Sequence, residues 1–135
     1  MPWTDDYIGL PFCCDGRSRA GLDCGGLVIL VYREQLGIEI PAHLGALVDL
    51  SPFGLRKASA EIKAELAKWV PVAKEDIRPF DVLSFRRGSI ESCHVGIACS
   101  RTHMLHITRG IDACMEPFTG PQWRHKLSGA FRYDR

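Results

Sequence analysis

Cys24 stands directly after Asp23 at the point where the sequence turns helical, with Gly25, Gly26 and the run Leu27-Val-Ile-Leu-Val-Tyr32 behind it. A thiol in the first turn of a helix has chemistry open to it. A free cysteine titrates near pH ~8.5, and a helix N-terminus with a nearby imidazolium lowers that to roughly 3.5 to 7.5, because the unpaired N–H groups of the first turn favour negative charge. Gly25 and Gly26 carry no side chains, so they are expected to leave the sulfur and its neighbouring amides open to a substrate. Those amides are then available as an oxyanion hole. On its own, a cysteine is more often an inert core thiol. A nucleophile also needs a base within hydrogen-bond reach and a third group to orient that base.

Histidines supply candidates. His94 opens the run His-Val-Gly-Ile-Ala-Cys, in which strand alternation puts His94, Gly96 and Ala98 on one face and Val95 and Ile97 on the other. A base on a face of so little bulk suits packing against a helix terminus. His103 and His106 lie in the next run, His-Met-Leu-His-Ile, three positions apart and so on opposite faces of a regular strand. At most one of them faces His94, and periodicity alone does not choose between them. His43 and His125 sit in loop-like sequence and read as solvated.

The elements that position these residues follow a definite order. Residues 9–22, with three glycines, a proline and two arginines, read as an irregular loop. From Cys24 to Leu36 a largely buried helix is expected, with Asp23 as N-cap and Gly37 as stop. Leu27, Leu30 and Val31 share one of its faces. Residues 41–54 read as loop with short turns, and 56–69 as a second, amphipathic helix rich in helix formers. Short β-branched runs follow at 81–85, 94–99, 103–108, 112–115 and 130–133. Helices first and strands afterwards give an α+β class, helices on one face of a small antiparallel sheet.

Bulk properties narrow the function classes. A chain of 135 residues is one domain's worth, so a single domain over 1–135 is expected. Its 17 basic and 16 acidic residues nearly cancel, which argues against a nucleic-acid or membrane-surface partner. The start, Met-Pro-Trp-Thr-Asp-Asp, has neither a basic nor an apolar region of the kind a signal peptide uses. The expectation is therefore synthesis in the cytoplasm, with six cysteines kept as thiols. Zinc is a rival use for Cys13, Cys14, Cys24, Cys93, His94 and Cys114. Their spacing lacks the paired cysteines two to four apart that structural zinc sites use, so no metal and no cofactor is expected.

Three stretches resemble the NlpC family of cell-wall cysteine peptidases. Gly21-Leu-Asp-Cys24-Gly-Gly-Leu-Val-Ile-Leu-Val-Tyr32 is similar to the nucleophile box, His94-Val-Gly-Ile97 to the catalytic-histidine strand, and Met104-Leu-His106 to the third-residue strand. The 12-residue interval from His94 to His106 also matches the family's, so the resemblance selects His106 over His103. It implies a papain-like core with Cys24, His94 and His106 as catalytic residues, and Asp23, Gly25 and Phe12 on the oxyanion and substrate side. Gly25 stands where many members have Ser, and Phe12 where they have Tyr. The implied reaction is cleavage of an amide in the stem peptide of peptidoglycan, commonly the γ-D-glutamyl to diamino acid bond. The closing segment Gly129-Ala-Phe-Arg-Tyr133 resembles phage-associated members, which implies a phage or gene-transfer-particle tail tip with tail proteins as partners. The rival from another class is a tail-tip assembly protein with weak or lost catalysis.

Overall fold

In the computed structural model, residues 2–45 and 51–134 are described. After a 3-10 turn at Trp3–Asp6, the chain forms a small hairpin, β1 (Arg17–Ser18) and β2 (Gly21–Leu22), and then helix α1 (Cys24–Val31). Helix α2 (Pro52–Leu66) follows, and then β3 (Val70–Val72), β4 (Val82–Arg87), β5 (Ile90–Ala98), β6 (His103–Thr108), β7 (Ile111–Pro117) and β8 (Leu127–Arg132). Strands β3 to β8 make one antiparallel sheet in the order β3-β8-β4-β5-β6-β7. This is the expected α+β arrangement. No helix among the described residues is long and apolar enough to cross a membrane.

α1 begins where Asp23 leaves helical geometry and its side chain accepts from the Gly26 N–H. Every residue of α1 is buried. The helix does not run on to Leu36 as one α-helix. It passes into a π-helical turn at Tyr32–Leu36, and Gly37 closes it with φ 66°, a conformation that costs glycine little. One face of the sheet, built from Val82, Val95, Ile97, Leu105 and Ile107, packs with α1 and with Ile62 and Leu66 of α2. The other face gathers Leu83, Phe85, Ala98, Met104 and Ala130 under Ile77, Phe118 and the partly buried Trp123 and Leu127. Both helices therefore lie on one face, and irregular chain covers the other.

Several boundaries differ from expectation for local reasons. α2 starts at Pro52 because Ser51 caps it, accepting from the Gly54 N–H, and because proline is well suited to the first helical turn. Residues 52–54 are thus helix rather than loop, Ala42–Gly45 is a turn, and 46–50 lie outside the described residues. The loop expected over 9–22 contains the hairpin β1–β2. β3 lies at the sheet edge beside β8, a position that tolerates Pro71.

The glycines after Cys24 serve a purpose other than the one expected. A Cβ at position 25 would lie 1.8 Å from the Leu44 carbonyl oxygen, and one at 26 would lie 2.1 Å from that of Gly16. Two loops pack directly on the first turn of α1, so the missing side chains admit backbone rather than substrate. Gly25→Ser is expected to destabilise the protein by about 2 kcal/mol through the displaced 41–45 turn. Chemical denaturation of the two proteins measures this, and equal midpoints would count against the close packing.

Candidate active site

Cys24 and His94 line one cleft of about 390 Å³, with Phe12, Cys93 and Trp123 among its other walls. α1 brings the thiol and β5 the imidazole. The third expected residue is also in place: His94 Nε2 and His106 Nδ1 are 2.9 Å apart. Gly96, two residues past His94 on β5, lies beside His106 of β6. A Cβ there would come within 2.9 Å of Met104 Sδ and 3.3 Å of His106 Cβ, so glycine gives His106 its room. His103 is exposed and bonds Thr102, and His43 and His125 are exposed as well. The six cysteines are free thiols.

The network continues to a residue that sequence reasoning missed. Glu116 Oε2 lies 2.5 Å from His106 Nε2 and accepts from Trp123 Nε1 at 3.2 Å. A carboxylate can only accept, which sets every proton in the row. His106 donates from Nε2 to Glu116 and so accepts at Nδ1. His94 then donates from Nε2 and keeps Nδ1 unprotonated, as a base must. Trp123 both tethers Glu116 and stacks on the His94 ring, with centroids 5.4 Å apart and planes at 30°. Glu116 sits at i+2 from Cys114, the residue opposite His106 in the β6–β7 register. Nothing at sequence level marks that pairing.

Electrostatics run against the expected activated thiolate. Burial pushes the Cys24 thiol up to about 12, and the charge of Asp23 adds to this. Hydrogen bonds from the Val95 and Gly25 amides and the charge of Arg17 act in the opposite direction and only partly offset it. His94 is pushed down to about 3, chiefly by burial among aromatic rings and then by the charges of His106 and Lys126. His106 is lowered by burial, against the pull of Glu116. The resting pair is therefore neutral thiol and neutral imidazole. Transfer of the proton from sulfur to His94 leaves the pair's net charge unchanged, and an approaching carbonyl gives the sulfur's electrons somewhere to go.

The expected oxyanion side is only partly as anticipated. Asp23 is fully buried; its Oδ1 accepts from the Gly26 N–H at 2.7 Å and pairs with Arg17. It holds the helix start rather than facing the cleft, and it occupies the Gly26 amide. The amide donors at the sulfur are those of Gly25 and Val95. Phe12 does line the cleft, without a hydroxyl to donate. His106, Cys114 and Glu116 have ligand atoms within 4.8 Å of one another, donors of a kind that bind zinc. Of the cysteines weighed for zinc in the sequence, this cluster uses Cys114 alone.

The model of the NlpC/P60 family matches residues 9–132. The chain belongs to the NlpC/P60 family. It is 26% identical over 127 residues to murein DD-endopeptidase MepS/murein LD-carboxypeptidase of Escherichia coli K12, covering 94% of this chain and 57% of that protein. Gamma-DL-glutamyl hydrolase of Bacillus subtilis 168 is 27% identical, covering 97% of this chain and 28% of its own. The chain thus spans less than two thirds of either relative. A crystal structure of an NlpC/P60 family protein from Bacillus cereus ATCC 10987 superposes with a TM-score of 0.73 at 25% identity, covering 96% of this chain and 37% of that one. The family match spans the helix that bears the thiol and the strands that bear the histidines, and the Glu116–Trp123 extension is read from this chain's own geometry.

Two outcomes follow from this proton order. Glu116→Lys leaves His106 Nε2 facing a group that can only donate, and so reverses the tautomers along the row. It is expected to lower kcat roughly a hundredfold with KM little changed, and ring 15N shifts should show His94 protonated at Nδ1; an unaltered tautomer would refute the relay. With the thiol held near 12, iodoacetamide at pH 7 should label the exposed Cys13 before Cys24, and Cys24 labelling should climb with pH beyond 9. Faster labelling of Cys24 at pH 6 would mean a preformed ion pair.

Proposed function

We propose that this chain is a cysteine peptidase domain that hydrolyses an amide bond in peptidoglycan stem peptides, at the γ-D-glutamyl to diamino acid linkage. The observation that carries the reading is the His94–His106 hydrogen bond beside Cys24 in a shared cleft of an NlpC/P60 chain. The names of its relatives, an endopeptidase and a glutamyl hydrolase, support it.

In the proposed reaction Cys24 Sγ attacks the amide carbonyl while its proton passes to His94 Nδ1. The Gly25 and Val95 amides, which hydrogen-bond the sulfur at rest, lie where they can follow the negative charge as it moves to the oxyanion. His94, now an imidazolium held by His106 and Glu116, returns the proton to the departing amine, and the C–N bond breaks to leave a thioester. Water then gives a proton to His94 and its hydroxyl to the acyl carbon, the C–S bond breaks to release the carboxylic acid, and the sulfur takes the proton back from His94. The set is complete without a metal ion.

The proposed setting is a phage or gene-transfer-particle tail tip, reached from the cytoplasm by assembly rather than secretion. Its support is the resemblance of Gly129–Tyr133 to phage-associated members. A second reading, an assembly protein with weak catalysis, is favoured by Phe12 and by the buried thiol.

Mass spectrometry of muropeptides released by the wild-type protein and by Cys24→Ala tests nucleophile and bond together, and purified particles extend the assay to the setting. Cleavage at the γ-glutamyl bond is expected from the wild type, with at least a thousandfold loss in the variant. Undiminished cleavage by Cys24→Ala would sink the mechanism, and particles lacking the chain would sink the setting.

A further inference from the structure

The cleft that holds Cys24 and His94 is also lined by Arg86, Arg87, Arg109 and Lys126, and by no carboxylate. All four cations are exposed. Among the described residues their charges have no acidic partner: the ion pairs to carboxylates use Arg17, Arg19, Arg33, Lys63, Lys68 and Arg132. Lys126 lies over the Trp123 ring. In a chain whose formal net charge is only +1, four unpaired cations around one cleft are a concentration rather than a background.

The backbone brings them there. Regular alternation sends consecutive strand residues to opposite faces, yet Arg86 and Arg87 line the same cleft. The β4–β5 register shifts between Phe85 and Arg87. The β4–β8 register shifts between Ser84 and Phe85, next to Lys126, and the β6–β7 register shifts between His106 and Thr108, next to Arg109. Bulges re-aim side chains and gather beside active sites. Here three ladders break at the end of the sheet that faces the cleft, each beside a cation, and the Arg86 N–H bonds the Lys126 carbonyl at 2.7 Å to fix two of them together.

A γ-linked glutamyl residue keeps its α-carboxylate free, three carbons from the scissile carbonyl, and the diamino acid beyond carries a carboxylate of its own. We infer that Arg86, Arg87, Arg109 and Lys126 form a carboxylate-binding rim that selects stem peptides with a free glutamyl α-carboxylate over their α-amidated counterparts. This rests on the stem-peptide reading above and adds which chemical form of the wall is taken. Arginine at exposed positions binds carboxylates weakly one at a time. Four cations around a concave site focus their field on one ligand and make its capture depend on ionic strength.

Calorimetry tests the rim without turnover. The Cys24→Ala protein is titrated with L-Ala-γ-D-Glu-diaminopimelate and with the same tripeptide amidated at the glutamyl α-carboxyl, in low salt and at 0.15 M. The free acid is expected to bind about tenfold more tightly in low salt, with the gap narrowing at higher salt. Adding Arg86→Gln and Arg109→Gln should bring the two affinities together by weakening only the free acid. Equal affinities in the Cys24→Ala protein, or a preference that survives both substitutions, overturns the rim. Hydrolysis by the unsubstituted protein is read separately. Cleavage of both peptides at one rate overturns the rim and leaves the peptidase reading standing, whereas selective binding with neither peptide cleaved overturns the peptidase reading and leaves the rim.

Discussion

The ion pair between Arg17 and Asp23 holds the first turn of α1, and with it the nucleophile. Arg17 Nη1 reaches Asp23 Oδ1 at 2.5 Å, and the same guanidinium donates to the carbonyls of Gly16, Ala42 and Leu44. One side chain thereby fastens the β1–β2 hairpin and the 41–45 turn to the helix start. Asp23 is fully buried, and a buried carboxylate left without its partner typically costs ~3–5 kcal/mol. The two close backbone approaches at Gly25 and Gly26 depend on this clamp. Were it opened, Cys24 would lose its fixed position opposite β5.

The clamp also shapes the chemistry. Asp23 raises the thiol's proton affinity and Arg17 lowers it by less, so the pair's charges partly cancel at the sulfur and their balance still favours the neutral thiol. Burial is then the dominant influence, and it favours the neutral forms of both Cys24 and His94. A site built this way spends nothing on stabilising a resting ion pair in a poorly hydrated cleft. What it needs instead is the correct tautomer of His94, and that is held from the far side by the fixed negative charge of Glu116. Charge is kept off the reacting atoms and stored two hydrogen bonds away.

How much of this was legible in the sequence follows from how far apart the interacting residues lie. Asp23 as cap, Cys24 in the first turn and Gly37 as stop are interactions within a few residues, and they were readable. So was the face shared by His94 and Gly96, since alternation is local. The choice of His106 over His103 needed the resemblance, because either face of β6 was open to periodicity. The start of α2 was hidden by Pro52 and Gly54, which read as breakers unless Ser51 is seen as a cap. Glu116 and Arg17 were not legible. Glu116 acts across a strand register fixed only when β6 meets β7, and Arg17 acts across 27 residues to Leu44. The thiol's affinity for its proton was misjudged for a related reason: sequence shows the helix terminus, but only the packed loops show the loss of water.

The site lies where the ladder between β5 and β6 runs out. β5 and β6 pair at Ile97 with Leu105 and at Ala98 with Met104, and their ladder stops short of His94, which pairs on its other side with Phe85 of β4. Past that point the strands are joined through side chains, by the imidazole of His94 on that of His106 over the bare backbone of Gly96. The Val95 amide turns to the sulfur of Cys24. An uninterrupted ladder would have fixed the strands more firmly, but it would have left no backbone donor for the thiol and no gap for the N-terminus of α1. The register shifts near Phe85 and Thr108 extend the same interruption outward and place the arginines around it. In this fold the incomplete ladder between β5 and β6 is the condition for a reactive centre, because reaction requires donors that the structure has not already paired.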